Sequence, residues 1–371
     1  MTSGGSSVRP SGYIPALDGL RFIAFFLVYM HHSFYTRYDA LSVFQGNMWF
    51  GVELFFLLSG YLITRLLLAE KRDTGTISWK RYGMRRILRI WPLYFVMVLL
   101  FSATGWFNYE DNYLPHFLSF ITFTNNIHSA FSGWPNTPVI SPLWTISSEE
   151  QFYLTLPLLA GAAVASRRYF AAIALAWLTV ALVFRVVLVL EGVPYPAIWV
   201  FTPAKPEALL AGVAFAVFEK ELLAFRFKWL AMALIAAVSI WILFFTGLLW
   251  EPGLHQTWLY FGSAGLALAM LWAVLSAPLI AAPLAWKPIA YLGRISFGLY
   301  VFHRLSMYLS LKLIPQIYDR DLALTDTWIW TQGFVIVFVA TVGFAALSYQ
   351  FLEKPFLKLK TRFEFIHGRP V

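Results

Sequence analysis

Apolar runs, each about 20 residues long, recur along the chain and are separated by shorter polar stretches. A run of this length crosses the hydrocarbon core of a bilayer as one helix, so the pattern predicts about ten transmembrane helices. The runs cover approximately residues 17–36, 48–69, 90–107, 142–165, 169–190, 197–218, 229–250, 257–280, 289–314 and 328–352. The apolar segment 116–127 is too short to cross and is predicted to be re-entrant or interfacial. The predicted fold class is an all-α membrane protein, a helix bundle.

Charged residues follow the same alternation. Apolar residues make up 59% of the 371 residues and charged residues only 13%, which is typical of a polytopic membrane protein. The net charge of +9 gathers in connections on one side, whereas the opposite connections carry only Arg37, Lys205 and Arg320. The positive-inside rule therefore predicts cytoplasmic termini and no nucleic-acid partner. We expect a cytoplasmic segment 1–16, a transmembrane domain 17–353 and a basic cytoplasmic tail 354–371.

Two ionisable side chains share one stripe of the first predicted helix. Arg21 and His32 lie eleven residues apart, which is three turns plus roughly 20°, with roughly 16 Å between them along the axis. His31 points roughly 80° away from that line. Because both groups are costly in hydrocarbon, they are predicted to face a protein interior or a wet cavity.

The second predicted helix contributes a carboxylate at the depth of His32. Glu53 is predicted to orient the imidazole and to stabilise its protonated form, as a carboxylate does in acyl-transfer triads. The alternative is pairing of Glu53 with another polar group between helices. Ser59 and Gly60 on the same helix fit close packing, because small residues let helices approach.

The densest basic stretch borders the third predicted helix. Arg86 and Arg89 are three residues apart and share a helix face, so they are predicted to bind the phosphate oxygens of a cytosolic ligand, with Arg21 nearby. The alternative is ordinary topogenic charge beside anionic lipid.

A pair of adjacent carboxylates, Glu149 and Glu150, lies in the apolar run that begins at Pro142. Both cannot face lipid, so at least one is predicted to point into the bundle, where either can reach the Tyr153 phenol. An interhelical hydrogen-bonded contact without catalytic function is the alternative. His303, also within an apolar run, fits a structural histidine or a ligand contact. The chain has no cysteine and no His/Asp/Glu cluster at metal spacing, so no metal is predicted.

Taken together, these motifs resemble membrane acyltransferase family 3, whose members place acyl groups on sugars of polysaccharides, lipids and macrolides. The resemblance extends from Leu17 to Phe356. The motifs of that family, in chain order, match Arg21 and His32, Gly51–Gly60, Arg86 and Arg89, Pro142–Tyr153, and Leu299–His303. Two departures, Glu53 where aspartate is commoner and Arg304 where tryptophan is frequent, concern the shape of the substrate site.

The resemblance implies an acyl-coenzyme A donor bound from the cytoplasm, with acetyl as the default acyl group. It implies a carbohydrate, glycolipid or glycoside acceptor met on the other side of a bacterial inner membrane. His32 corresponds to the catalytic histidine of the family, and Arg86 and Arg89 correspond to its cytoplasmic arginines. Arg21 is expected to join these two in binding the donor. The remaining expected site residues are Glu53, Glu149, Glu150 and Tyr153 in support of catalysis and Asp18, Ser59, Trp144 and His303 in substrate contact.

The predicted mechanism is transfer within a tunnel that rises along the stripe from Arg21 to His32. His32 takes the acceptor proton as a general base, or it carries the acyl group as an acyl-imidazole. A transporter or flippase is the competing interpretation, since intramembrane charges also mark transport paths. It predicts two similar halves, and the sequence contains no convincing internal repeat. A membrane protein whose buried polar residues serve only packing is the third interpretation.

Overall fold

A computed structural model of the chain describes residues 12–33, 39–103, 113–135, 138–193, 195–314 and 327–364. Within these ranges the regular elements are helices, and no strand occurs. The α-helices are α1 Pro15–His32, α2 Asp39–Asn47, α3 Phe50–Thr74, α4 Trp79–Ala103, α5 Tyr113–Ile121, α6 Asn125–Ser132, α7 Trp144–Ala165, α8 Arg167–Leu190, α9 Ala197–Val200, α10 Glu207–Val217, α11 Glu219–Ala224, α12 Lys228–Phe245, α13 Leu259–Ser276, α14 Pro278–Leu284, α15 Lys287–Arg294, α16 Ser296–Leu313, α17 Thr327–Ser348 and α18 Lys354–Lys360. Short 3-10 turns cover Ser141–Leu143, Thr202–Ala204, Leu254–Thr257 and Thr361–Phe363, and a π-turn covers Tyr349–Glu353.

Five helical segments in the described residues are long and apolar enough to span a membrane. They are Val43–Thr74, Arg167–Leu190, Lys228–Phe245, Leu259–Ser276 and Ile329–Phe363. On α8 and α12, large apolar side chains such as Leu175, Val180 and Trp241 point outward and are exposed. Such faces suit a lipid environment, and the chain is a multi-pass membrane protein. The count of about ten spans and the cytoplasmic placement of the termini stay predictions.

The centre of the bundle is a close contact between α3 and α10. A Cβ atom added at Gly212 would lie 2.1 Å from the carbonyl oxygen of Leu57, and one added at Gly60 would lie 2.5 Å from that of Leu209. Only glycine permits this approach, because any larger residue would force the two backbones apart. The packing role predicted for Gly60 is confirmed.

Helix α1 is fixed in the bundle by a second backbone contact. A Cβ atom at Gly293 of α15 would lie 1.7 Å from the carbonyl oxygen of Asp18, and one at Gly19 would lie 2.2 Å from that of Leu284. The first turns of α1 therefore pack directly on the backbone of α14 and α15. This contact sets the position of every side chain that α1 presents.

The predicted run 197–218 is interrupted in the structure. It consists of α9, the turn Thr202–Ala204 and α10, because Pro203 and Pro206 lack the amide hydrogens that a continuous helix needs. Lys205, which was assigned to a connection, lies in this break and is buried. The run 289–314 is likewise divided at Ile295, between α15 and α16. Arg37 and Arg320 lie outside the described residues.

Candidate active site

Seven arginines and two lysines line a cavity of about 710 Å³ at the N-terminal end of α1. We refer to it as the arginine cavity. Its walls come from residues 12–21, from the C-terminal half of α3, from the first turns of α4 and from the region around α11. Three of the predicted donor-site residues, Arg21, Arg86 and Arg89, line this cavity together with Asp18. The structure thus brings together arginines from two separate motifs of the sequence.

Many of the charges in the arginine cavity are already paired. The ion pairs are Arg85–Glu70 at 2.9 Å, Arg72–Asp73 at 3.1 Å, Arg65–Glu219 at 3.6 Å, Arg167–Glu221 at 2.5 Å and Lys360–Glu364 at 2.9 Å. The hydrogen bond from Arg167 holds the pKa of the exposed Glu221 carboxyl below its usual value, so this carboxylate stays ionised opposite the guanidinium. Asp18 accepts a hydrogen bond from the Tyr13 hydroxyl at 2.7 Å.

Arg21 and Arg86 differ from the paired arginines. In the described part of the chain neither makes an ion pair with a carboxylate. Arg86 lies over the Tyr153 ring, with 5.7 Å between its guanidinium carbon and the ring centroid, and its buried Nε has no hydrogen-bond partner. A guanidinium group that lines a cavity without forming an ion pair is suited to an anionic ligand.

A layer of polar side chains on α7 lies beside Arg86 of the arginine cavity. The Tyr153 hydroxyl donates a hydrogen bond of 2.8 Å to the Glu149 carboxylate, which is one of the two pairings that the spacing predicted. Glu149 is half-buried and feels the charges of Arg21 and Arg86. The other two predicted residues of this layer are the half-buried Glu150, whose Oε1 has no hydrogen-bond partner among the described residues, and the buried Ser59, which lies beside Tyr153.

A second cavity, of about 400 Å³, lies at the C-terminal end of α1, and we refer to it as the histidine cavity. Its lining is aromatic and basic, and comprises His31, His32, Trp49, Trp134, Trp144, Tyr195, Trp199, Tyr300 and Arg304 with valine, proline and serine residues. In the described ranges no carboxylate lines it. Tryptophan and tyrosine faces at this density are typical of sites that stack on sugar rings or other flat apolar groups.

His32 is held by His303. The ring nitrogen Nδ1 of His32 lies 3.0 Å from Nε2 of His303, and the two ring centroids are 5.0 Å apart. His303 is fully buried, and its own Nδ1 lies 2.5 Å from the carbonyl oxygen of Tyr300. The neighbouring His31 also lines the cavity, but its Nδ1 lies 3.1 Å from the carbonyl oxygen of Gln45. The two histidines therefore differ in the partner of the ring, which is another imidazole for His32 and a backbone carbonyl for His31.

Glu53 takes part in a different contact from the one predicted. Its carboxylate lies 3.6 Å from the ammonium group of Lys205, and both side chains are almost completely buried. Three aromatic rings surround this ammonium group, with centroids at 4.1 Å for Trp144, 4.6 Å for Trp199 and 4.9 Å for Phe56. Since Trp144 and Trp199 also line the histidine cavity, the ion pair stands behind its wall.

Both cavities are lined by the single helix α1. Asp18 and Arg21 face the arginine cavity, and Val28, His31 and His32 face the histidine cavity. The two cavities share no lining residue. On α7, Glu149 lies between Trp144, which lines the histidine cavity, and Tyr153, whose ring contacts Arg86.

Sequence reasoning missed a second buried ion pair next to the Lys205–Glu53 pair. Arg185 is fully buried on α8 and donates hydrogen bonds to Glu207 and to two backbone carbonyl oxygens. A lone arginine in the middle of an apolar run carries the same signal that singled out Arg21. Its two terminal nitrogens bind Glu207, Ala204 and Thr257, so Arg185 joins α8 to α10 and to the turn before α13, while its buried Nε has no hydrogen-bond partner within the described ranges.

The apolar helix bundle holds a histidine against an aromatic cavity. Arginines that form no ion pair in the part of the chain that the structure describes line a second cavity one helix length away. This combination is typical of a membrane-embedded transferase. Comparison with protein families agrees, because residues 14–350 match the profile described as an acyltransferase domain. The chain therefore belongs to this acyltransferase family, as its motifs implied.

Two relatives show the nature of the similarity. The chain is 27% identical over 366 residues to YrhL of Bacillus subtilis (strain 168), which carries a provisional name as a peptidoglycan O-acetyltransferase; the match covers 92% of this chain and 55% of YrhL. It is 26% identical over 370 residues to peptidoglycan O-acetyltransferase OatA of Listeria monocytogenes, and this match covers 93% of the chain and 56% of OatA. The chain thus spans about half the length of these curated relatives. No solved structure matches it significantly.

Proposed function

We propose that the protein is an integral membrane O-acyltransferase that uses cytosolic acyl-coenzyme A, with acetyl as the default acyl group. The proposed acceptor is a hydroxyl group of an extracytoplasmic or membrane-associated carbohydrate or glycoside in the bacterial inner membrane. Family membership supports the reaction class, and the names of the relatives support the carbohydrate acceptor. The observation that carries the proposal is α1, which presents arginine to one cavity and histidine to the other.

The donor is assigned to the arginine cavity. Coenzyme A carries several phosphates, and Arg21, Arg86 and Arg89 offer guanidinium groups that bind phosphate oxygens in a forked geometry. Asp18 lines the same cavity and is proposed to contact the donor. Glu149, Glu150, Tyr153 and Ser59 are proposed to line the path by which the acyl-bearing arm reaches His32. The acyl-bearing arm is proposed to extend along this path from the arginine cavity to the histidine cavity.

The acceptor is assigned to the histidine cavity. Its volume of about 400 Å³ falls in the range of small-molecule sites, which is roughly 300–1,000 Å³. Trp144 and the other aromatic side chains provide flat faces for a sugar ring, and His32 lies at the same wall. The Lys205–Glu53 pair is proposed to hold Trp144 in place from behind, which gives Glu53 an indirect role in this site.

The proposed chemistry needs only side chains that the chain supplies. The acceptor hydroxyl attacks the thioester carbonyl while His32 takes the hydroxyl proton, a new C–O bond forms and the C–S bond breaks. The proton on the imidazolium then passes to the coenzyme A thiolate as it leaves. In the second route the imidazole nitrogen attacks the thioester carbonyl, a C–N bond forms, the C–S bond breaks and the coenzyme A thiolate leaves. The acceptor hydroxyl then attacks the acyl-imidazole, a C–O bond forms, the C–N bond breaks and the hydroxyl proton passes to the thiolate.

The test is acyl transfer by the purified full chain in lipid nanodiscs. The protein is mixed with radiolabelled acetyl-coenzyme A and soluble peptidoglycan fragments, and label in the glycan is measured with free coenzyme A. Stoichiometric formation of both products supports the proposal, provided that His32→Ala removes both. No consumption of the thioester with any carbohydrate acceptor would refute it. Movement of a labelled glycan across proteoliposomes without thioester consumption would favour the transporter interpretation.

A further inference from the structure

The partners of the two site histidines fix which nitrogen of each ring carries hydrogen. The carbonyl oxygen of Tyr300 can only accept a hydrogen bond, so Nδ1 of His303, at 2.5 Å, must be the donor. In the neutral imidazole the other nitrogen then has a free lone pair. That nitrogen, Nε2 of His303, is the one that lies 3.0 Å from His32.

The same reasoning continues to His32. An acceptor at Nε2 of His303 requires a donor at Nδ1 of His32. With its hydrogen on Nδ1, the neutral ring of His32 has its lone pair on Nε2. This is the form that a general base or nucleophile needs, because the nitrogen that is not tied to the protein is the reactive one.

We infer that His303 is a positioning residue, and that the ordered contact from the Tyr300 carbonyl through His303 to His32 selects the Nδ1–H form of His32. This inference rests on the proposed function, because it assigns His303 a role in the same transfer reaction. In the serine-protease triad a carboxylate performs the equivalent task. Here a backbone carbonyl and a second imidazole perform it, and Glu53 is engaged by Lys205 instead.

The arrangement also prepares the site for the charge that forms during the reaction. When Nε2 of His32 takes the acceptor proton, the ring becomes an imidazolium that donates from Nδ1 to a neutral acceptor, His303. The His303 ring is held in place by its contact with Tyr300 on its own helix, so no reorientation is needed at that moment. Without His303, Nδ1 of His32 loses its side-chain partner, and the hydrogen of the neutral ring is no longer held on Nδ1 by that contact.

The direct test is nitrogen NMR of the full chain in nanodiscs, labelled with 15N-histidine. Protonated and unprotonated ring nitrogens have distinct resonances, and the signals of His32 among the seven histidines are identified by their loss in His32→Gln. The expected result is a protonated Nδ1 and an unprotonated Nε2 in His32. In His303→Ala the His32 signals should become a mixture of both forms. His303→Gln should keep the Nδ1–H form, because the amide oxygen of glutamine can accept the same hydrogen bond.

The kinetic test separates positioning from folding. His303→Ala should lower kcat about 100-fold and leave the KM of donor and acceptor within about twofold, whereas His303→Gln should recover about tenfold of the loss. Both variants are compared at equal amounts of folded protein, judged by their melting midpoints. The matched control is His128→Ala, which removes one ring of the separate His116–His128 pair, with centroids 4.4 Å apart, and should leave kcat unchanged.

The outcomes distinguish this inference from the proposed function. An active wild-type protein whose His32 carries its hydrogen on Nε2 overturns the inference and upholds the function. The expected ring form in a protein that transfers no acyl group upholds the structural assignment and refutes the function. Equal losses of kcat in His303→Ala and His303→Gln, with the His32 signals unchanged, overturn the positioning role.

Discussion

Replacing Lys205 with methionine tests whether the buried ion pair supports the histidine cavity. Lys205 has no exposed surface, and its ammonium group lies 3.6 Å from the Glu53 carboxylate. It is also surrounded by the rings of Trp144, Trp199 and Phe56. Methionine has a similar length and no charge, so Lys205→Met removes the charge while filling most of the space. The carboxylate is then left buried without its partner.

The size of the effect follows from the separation and the burial. At 3.6 Å and an effective dielectric constant of about 20, the Coulomb attraction is roughly 5 kcal/mol. Breaking a buried pair by removing one partner costs about 3–5 kcal/mol, because an uncompensated charge remains. Removing both charges avoids that penalty and is often close to neutral. We therefore expect Lys205→Met to lose about 3–5 kcal/mol of stability and the double variant Lys205→Met/Glu53→Gln to recover most of it.

The assay measures unfolding of the purified protein in nanodiscs by tryptophan fluorescence during heating or denaturant titration. Wild type, Lys205→Met, the double variant and Lys287→Met are compared under one condition. Lys287 is exposed at the start of α15, so its substitution should change stability by less than about 0.5 kcal/mol. The KM for the acceptor should rise in Lys205→Met, because Trp144 and Trp199 line the cavity and lose the cation behind them.

Two results would refute this reasoning. One is a Lys205→Met protein that is as stable as the wild type, which would mean that Glu53 loses nothing when its partner is removed. The other is a double variant less stable than the single variant, which would show that the carboxylate of Glu53 is needed for something other than Lys205. A change in stability without a change in acceptor KM would separate the ion pair from the cavity wall.

Three further tests, two of which include a comparison variant, address the remaining parts of the structure. His32→Ala should abolish transfer without loss of folded protein, whereas His31→Ala should retain most activity; equal losses would show that the assignment of the base is wrong. Arg86→Ala should raise the KM for acyl-coenzyme A about tenfold with little change in kcat, and a defect seen only with the acceptor would contradict the donor site. Gly293→Ala should destabilise the protein by about 1–3 kcal/mol, since its Cβ atom would lie 1.7 Å from a carbonyl oxygen of α1. Gly343→Ala is the matched control in thermal unfolding and should cost nothing, because no atom lies within 4 Å of its Cβ position.

Features that depend on short stretches of sequence were predictable. Helical periodicity placed Arg21 and His32 on one helix, and α1 indeed runs through both positions. The spacing of Glu149 and Glu150 from Tyr153 predicted that either carboxylate can reach the phenol, and the structure pairs Tyr153 with Glu149. The small residues of α3 predicted close helix packing, and Gly60 provides it.

Contacts between distant helices were not predictable in the same way. Matching depths along two helices suggested that Glu53 supports His32, but depth does not specify rotation about the helix axis. In the structure, Glu53 lies against Lys205, and His303 lies against His32. Lys205 was assigned to a connection between helices, and its pairing with Glu53 was not predicted. Lys205 is surrounded by three aromatic rings, one each from α3, α7 and α9. How these helices assemble cannot be predicted from any local sequence pattern.

The sequence by itself determined the family of the protein and its all-helical, membrane-spanning character, and it proposed the residues that carry the chemistry. Apolar length, charge and periodicity act over one or two turns, so they can be read from neighbouring residues. Tertiary structure alone decided that the arginines and the histidine face separate cavities, and that His32 meets a histidine 271 positions further along the chain. The physical reason is that the rotation and approach of packed helices are set by backbone contacts such as Gly212 against Leu57, which join segments far apart in the sequence.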